Sequence, residues 1–122
     1  MRDLAGLKAL VIEDEGPVAL LIEDMLLDLG CEIAASAADL VRATEVARTA
    51  RVDFALLDLN LAGQSALPIA AILEDRRIPF VFSTGYGESE VRQGFERHPL
   101  LAKPFDMADL QEKISAALNA DA

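Results

Sequence analysis

Apolar runs and apolar stripes alternate along the whole chain. Ala9-Leu10-Val11-Ile12 is continuous, as expected of a strand covered on both faces, and it stops at Glu13-Asp14-Glu15. Gly16-Pro17 then opens a helix, proline being suited to a first turn. Val18, Leu21, Ile22, Met25, Leu26 and Leu29 recur at the spacing of one helical stripe. Gly30 follows where a left-handed closing residue is wanted.

The alternation continues. Cys31–Ser36 reads as a second strand, and Asp39 as the N-cap of a helix to about Thr49. Phe54-Ala55-Leu56-Leu57 is a third buried run that ends at Asp58, and a turn is expected at Leu61-Ala62-Gly63. A helix from about Leu67 to Arg76 turns Ile69, Ile72 and Leu73 inward. Pro79 precedes a fourth strand, Phe80-Val81-Phe82-Ser83, which ends at Thr84-Gly85-Tyr86-Gly87. Leu100-Leu101-Ala102 is a short fifth strand before Lys103-Pro104, and Asp106 caps a last helix with Met107, Leu110, Ile114 and Leu118 on one face. Between the last two strands the signal is poor. Glu88–His98 offers only Val91 and Phe95 as large apolar groups, with Gly94 between them, and an interior glycine costs a helix about 1 kcal/mol. A short, marginal or mobile helix is expected there. Five strands alternating with helices predict one doubly wound α/β domain, residues 1–122, with a parallel sheet.

Composition narrows the class. The net charge is −10, from 11 Lys+Arg against 21 Asp+Glu, which argues against binding phosphate backbones or anionic lipid. Residues are 52% hydrophobic but only 5% aromatic, with no Trp, so the core is aliphatic. Cys31 is the single cysteine; it has no disulfide partner, forms no zinc-type cluster, and is expected to pack as a small hydrophobe. The start of the chain lacks the apolar run of a secretory signal, and no stretch approaches the ~18 residues of a membrane span. A cytoplasmic protein is expected. No GxxxxGK[ST] or GxGxxG occurs, which argues against a nucleotide site.

In a doubly wound sheet, ligands bind outside the carboxyl ends of the strands. Four strands here end in polar groups: Glu13-Asp14, Asp58, Thr84 and Lys103. Three carboxylates in one cleft repel; two like charges at 4 Å cost about 4 kcal/mol at an effective dielectric near 20. Lys103 offsets only part of this. A hard divalent cation with oxygen ligands, Mg²⁺ above all, is the natural supplement, and a metal with a lysine suits phosphoryl transfer. A carboxylate can itself accept the phosphoryl group, with Thr84 hydrogen-bonding its oxygens.

Leu10-Val11-Ile12-Glu13-Asp14-Glu15, Leu56-Leu57-Asp58-Leu59-Asn60, Ser83-Thr84-Gly85 and Ala102-Lys103-Pro104-Phe105 together resemble the receiver domain of a two-component response regulator, over about Leu7 to Leu118. The resemblance implies a flavodoxin-like fold with strand order 2-1-3-4-5. It implies Asp58 as phosphoacceptor, Asp14 as a direct Mg²⁺ ligand, Glu13 as a ligand through water, and Asn60 as the donor of a backbone carbonyl. Thr84 and Lys103 would bind and report the phosphoryl group, and the Lys103-Pro104 peptide would be cis. Pro79–Gly87 is similar to the signature of the "FAT GUY" group of stand-alone receivers, with Ser83 in place of the usual alanine. That similarity implies a sensor histidine kinase of the HWE/HisKA2 type as partner. Few residues follow the last helical stripe, so no effector domain is expected, and output would pass by protein contact or phosphotransfer. One departure stands out: Leu100 lies three residues before the lysine, where typical receivers carry Tyr or Phe. Tyr86 is the candidate substitute, as reporter or as shield of the acyl phosphate.

Two other functions share these residues. A haloacid-dehalogenase-type phosphatase places a second Asp two residues after its nucleophile; that position is Asn60 here, which transfers no proton. A pseudo-receiver adaptor would use the fold for binding alone. His98, the lone histidine, is expected at the surface, and Leu4–Lys8 carries no discernible chemistry.

Overall fold

A strand buried on both sides must be apolar at every position, whereas an edge strand can alternate. The computed structural model, which describes residues 3–85 and 92–120, follows this rule. Strands β1 (Lys8–Ile12), β3 (Phe54–Asp58) and β6 (Phe80–Thr84) occupy the middle of a five-stranded parallel sheet, with β2 (Glu32–Ala37) and β7 (Leu100–Ala102) at its edges. All five residues of β3 and of β6 are buried; in β2 exposed and partly covered residues alternate. The order β2-β1-β3-β6-β7 is the expected 2-1-3-4-5 counted over the main strands. β4 (Asn60–Leu61) and β5 (Gln64–Ser65) form a separate antiparallel hairpin, where only a turn was expected.

Four helices among the described residues cover the sheet: α1 (Gly16–Asp28), α2 (Leu40–Thr49), α3 (Leu67–Asp75) and α4 (Met107–Ala120). Leu10, Ile12, Ala55, Leu57, Phe80 and Phe82 face α2 and α3, whose Ala43, Val46, Ile69 and Leu73 complete that layer. Ala9, Val11, Phe54, Leu56 and Val81 face α1 and α4, against Ile22, Leu26, Leu110 and Ile114. Asp39 caps α2 as expected, its carboxylate accepting from Arg42 N–H at 2.8 Å. Asp106 caps α4 by accepting from Asp109 N–H at 2.8 Å. Gly30 closes α1 at φ 89°, and a β-carbon there would meet Ala5 Cα at 3.1 Å.

Two expectations change. Residues 92–98 form turns rather than a helix, with Gly94 at φ 90° and Pro99 ending the segment; residues 88–91 lie outside the described residues. Leu21 belongs to the α1 stripe yet is 56% exposed, because α1 is apolar on more sides than the sheet can cover; Leu20 and Leu27 are exposed with it. Leu4, assigned no role, is fully buried beside Cys31, whose thiol donates weakly to the Leu4 carbonyl at 3.5 Å. Burial pushes that thiol above its ordinary pKa.

Candidate functional site

The sheet order reverses between β1 and β3, since β1 continues to β2 on one side and β3 to β6 on the other. A crevice opens at the carboxyl ends of such strands because the connections leave in opposite directions. Glu13 and Asp14 follow β1, Asp58 is the last residue of β3, Thr84 the last of β6, and Lys103 the first after β7. Registry brings them level: Ile12 pairs with Leu57, Asp58 with Ser83, and Thr84 with Ala102.

The carboxylates converge. Glu13, Asp14 and Asp58 each offer an oxygen within 4.8 Å of the other two. Lys103 Nζ donates to Asp58 Oδ2 at 2.9 Å and forms an ion pair with Glu13 Oε1 at 2.7 Å. The Lys103–Pro104 peptide is cis, and Lys103 N–H donates to the Thr84 carbonyl at 2.8 Å. Backbone amides hold the acids in place. Asn60 N–H donates to Asp58 Oδ1 at 3.1 Å, Glu15 N–H to Glu13 Oε2 at 3.1 Å, and Ala62 N–H to Asp14 Oδ2 at 2.9 Å. The Asn60 side chain is spent on Gly63 N–H at 2.7 Å, closing a hairpin turn with Ala62 at φ 52° and Gly63 at φ 85°. That hairpin, and the amide it lends to Asp14, is the part of the site the sequence did not announce; Asn60 and Gly63 flanking the turn were its only signal.

The electrostatics are unbalanced. Glu13 and Asp58 side chains are 1% exposed, and burial, only partly answered by Lys103, pushes Glu13 up to about 7 and raises Asp58 as well. For Lys103, burial pulls downward but is outweighed by its pairing with Glu13 and Asp58, so its pKa rises. Burial would likewise raise Asp14, yet the Ala62 amide and its neighbours hold it below the usual carboxylate range. With all groups ionised, three carboxylates face one ammonium, a local excess of two negative charges. At the site, the buried Thr84 Oγ1 has no hydrogen-bond partner among the described residues. Such an atom is costly unless a ligand completes it. The donor set is all oxygen and all hard, which fits Mg²⁺, and the unpartnered Thr84 hydroxyl at the end of β6 fits an incoming phosphoryl oxygen.

The profile described as "Response regulator receiver domain" matches residues 9–115. The chain belongs to the receiver family. It is 34% identical to SdrG from Sphingomonas melonis Fr1, whose solution structure superposes with a TM-score of 0.84 over 97% of this chain and 99% of that one. A receiver domain of the sensor histidine kinase PA1611 from Pseudomonas aeruginosa PAO1, solved with a magnesium ion in its active-site cleft, is 26% identical, with a TM-score of 0.74 over 94% of this chain and 99% of that one. Transcriptional regulatory protein PdtaR of Mycobacterium tuberculosis is 26% identical over 116 residues, 92% of this chain; the match spans 57% of that protein. Receivers are phosphoacceptors of two-component systems rather than conventional enzymes, and they bind Mg²⁺ at an acidic pocket. Glu13, Asp14 and Asp58 form an acidic cluster here. No helix among the described residues is long and apolar enough to cross a membrane.

Leu100, at the position of the usual aromatic, is half-buried at the margin of the α2–α3 layer. Tyr86 lies outside the described residues. His98, expected at the surface, is instead largely covered: it stacks on Phe80 at 4.0 Å between ring centroids.

Proposed function

We propose that this chain is a single receiver domain that takes a phosphoryl group from a phosphohistidine of a sensor kinase onto Asp58, and signals by protein contact or onward phosphotransfer. The observation that carries this reading is the buried Asp58 carboxylate, gripped by Lys103 and by the Asn60 amide, in a cluster short of positive charge. A bound Mg²⁺ would neutralise charge on the phosphoryl oxygens. Asp14 and Asp58 would hold it directly, Glu13 through water, with the backbone carbonyl of Asn60 completing the set.

The transfer balances simply. One Asp58 oxygen attacks phosphorus, the phosphorus–nitrogen bond breaks, and the electron pair leaves with the imidazole, which takes up a proton. Lys103 then moves its hydrogen bond from the carboxylate to a phosphoryl oxygen, and Thr84 Oγ1 gains the partner it lacks. Both side chains are drawn toward Asp58, which biases β6, β7 and the segment between them. Asn60, tied into the hairpin, has no proton to give a leaving group, so the acyl phosphate persists rather than turning over as in a phosphatase.

In this reading the donor docks on the α1 side of the site. A largely apolar groove of about 330 Å³, lined by Val18, Leu21, Ile22, Met25 and Phe105, abuts Lys103 and Pro104. A helical kinase segment seated there would bring its histidine to Asp58; the FAT GUY resemblance suggests an HWE/HisKA2 kinase in a cytoplasmic setting. Output passes through residues 88–98, β7 and α4.

The test is incubation with acetyl phosphate and Mg²⁺ followed by intact mass. One phosphoryl adduct on wild type, absent from Asp58→Asn and from wild type in EDTA, is expected. An adduct on Asp58→Asn, or sustained hydrolysis of a small phosphate ester, would overturn the reading. Hydrogen exchange with beryllofluoride should change protection in β7 and α4; uniform protection would reject the output face.

A further inference from the structure

The opposite edge of the sheet carries a second concavity that phosphoryl transfer does not use. A cavity of about 380 Å³ opens below the start of β6, between the C-terminal ends of α3 and α4. Its body is apolar, built from Ile78, Pro79, Phe80 and Pro99, with Ala117 and Ala120 of α4 as small residues on the far wall. Its rim is cationic, carrying Arg77 and Arg97. This is unusual in a chain of net charge −10. The lining carboxylate, Glu74, is already engaged: it accepts from Arg97 at 2.7 Å and lies 2.6 Å from His98 Nε2. That engagement holds Glu74 below the usual carboxylate range, with His98 as the larger cause and Arg97 after it.

Two further features show that the cavity is built rather than incidental. The fully buried Phe80 ring stacks on His98 at 4.0 Å with an interplanar angle of 23°, which fixes the imidazole in place. Arg92 fixes the His98 backbone from behind by donating to its carbonyl. Arg77 adopts φ 58°, the left-handed conformation that normally calls for glycine just after a helix and is strained for a residue with a side chain. Strain retained at a polar side chain points to use of that side chain. A guanidinium presents several donors in a planar fork suited to carboxylates, and Arg97 has donors left after its bond to Glu74.

We propose that this cavity binds a small amphipathic anion, an aromatic or branched apolar body bearing one carboxylate. The body lies against His98, Pro79 and Pro99, facing Ala117 and Ala120, and the carboxylate is clamped by Arg77 and Arg97. The volume lies within the range of small-molecule pockets, about 300–1,000 Å³. Inorganic phosphate does not suffice, because it leaves the apolar walls wet. The cavity sits where β6 begins and just before β7, the strands whose other ends carry Thr84 and lead to Lys103.

Phenylacetate is a suitable probe, titrated into the full chain and followed by amide chemical shifts. Saturable shifts confined to residues 74–80, 97–99 and 117–120 are expected in the millimolar range. Phenylacetamide, the neutral isostere, should bind about tenfold more weakly, as expected for loss of charge-assisted hydrogen bonds; inorganic phosphate should give no saturable shift there. Arg77→Gly removes the guanidinium while relieving the left-handed strain, so the variant stays folded; its phenylacetate affinity should also fall about tenfold. Equal affinity for the acid and the amide, an unchanged Arg77→Gly, or no saturable shift with phenylacetate overturns the proposal. Acetyl phosphate labelling of Asp58 is unaffected in each case, so failure here is separable from failure of the phosphoacceptor reading.

Discussion

Replacing Lys103 by methionine keeps the aliphatic stem but removes the ammonium that Glu13 and Asp58 share, at 2.7 and 2.9 Å. Both carboxylates are almost fully buried, so their repulsion is poorly screened; like charges at 4 Å cost about 4 kcal/mol at an effective dielectric near 20. Breaking a buried pair by deleting one partner typically costs about 3–5 kcal/mol. Proton uptake sets a ceiling. A carboxylate with an ordinary value of 4.5 can be neutralised at about 1.4 kcal/mol per pH unit, so the penalty cannot exceed about 5 kcal/mol at pH 8 or about 2 kcal/mol at pH 6. The expected loss in urea unfolding without divalent cations is therefore about 3–4 kcal/mol at pH 8, shrinking to about 2 kcal/mol or less at pH 6. Saturating Mg²⁺ at pH 8 should restore part of it, since the cation supplies the missing positive charge. A loss under about 1 kcal/mol at pH 8, or one that does not change with pH, would mean the pair is solvated and the electrostatic account is wrong.

The remaining predictions concern pH and local backbone geometry. Glu13 holds its proton to about 7 in the native state and releases it near 4.5 when unfolded, so the folded form binds the extra proton between those values. Metal-free stability should fall as pH rises from about 4.5 to about 7, and Mg²⁺ should flatten the profile; a urea midpoint that rises across this window contradicts it. Gly30→Ala places a β-carbon 3.1 Å from Ala5 Cα at φ 89° and should cost at least about 1–2 kcal/mol in thermal or urea unfolding. Asp39→Ala, which removes the acceptor for Arg42 N–H, should cost about 1 kcal/mol, with Asp39→Asn near wild type.

Strand identity was legible because burial on both faces leaves no alternative to an unbroken apolar run: Ala9–Ile12, Phe54–Leu57 and Phe80–Ser83 became β1, β3 and β6 within a residue. The polar residues ending those runs, Glu13-Asp14, Asp58 and Thr84, and Lys103 after β7, were legible for a related reason. In a parallel sheet every carboxyl end lies on one edge, so chain order alone brings them together. Caps such as Asp39 and Gly30 were readable because they satisfy needs within a few residues.

What tertiary structure decided were the contacts between segments distant in sequence. The Ala62 amide that holds Asp14 comes from 48 residues downstream, and its hairpin exists because Asn60 folds its side chain onto Gly63. Leu21 lies exposed despite its place in the stripe because a sheet of fixed width, not helical periodicity, determines how much of α1 is covered. His98 left the surface to stack on Phe80, bound to a carboxylate 24 residues away. Periodicity along a chain reports which face of an element is apolar; only the assembled layers decide how much of that face is covered, and by which partners.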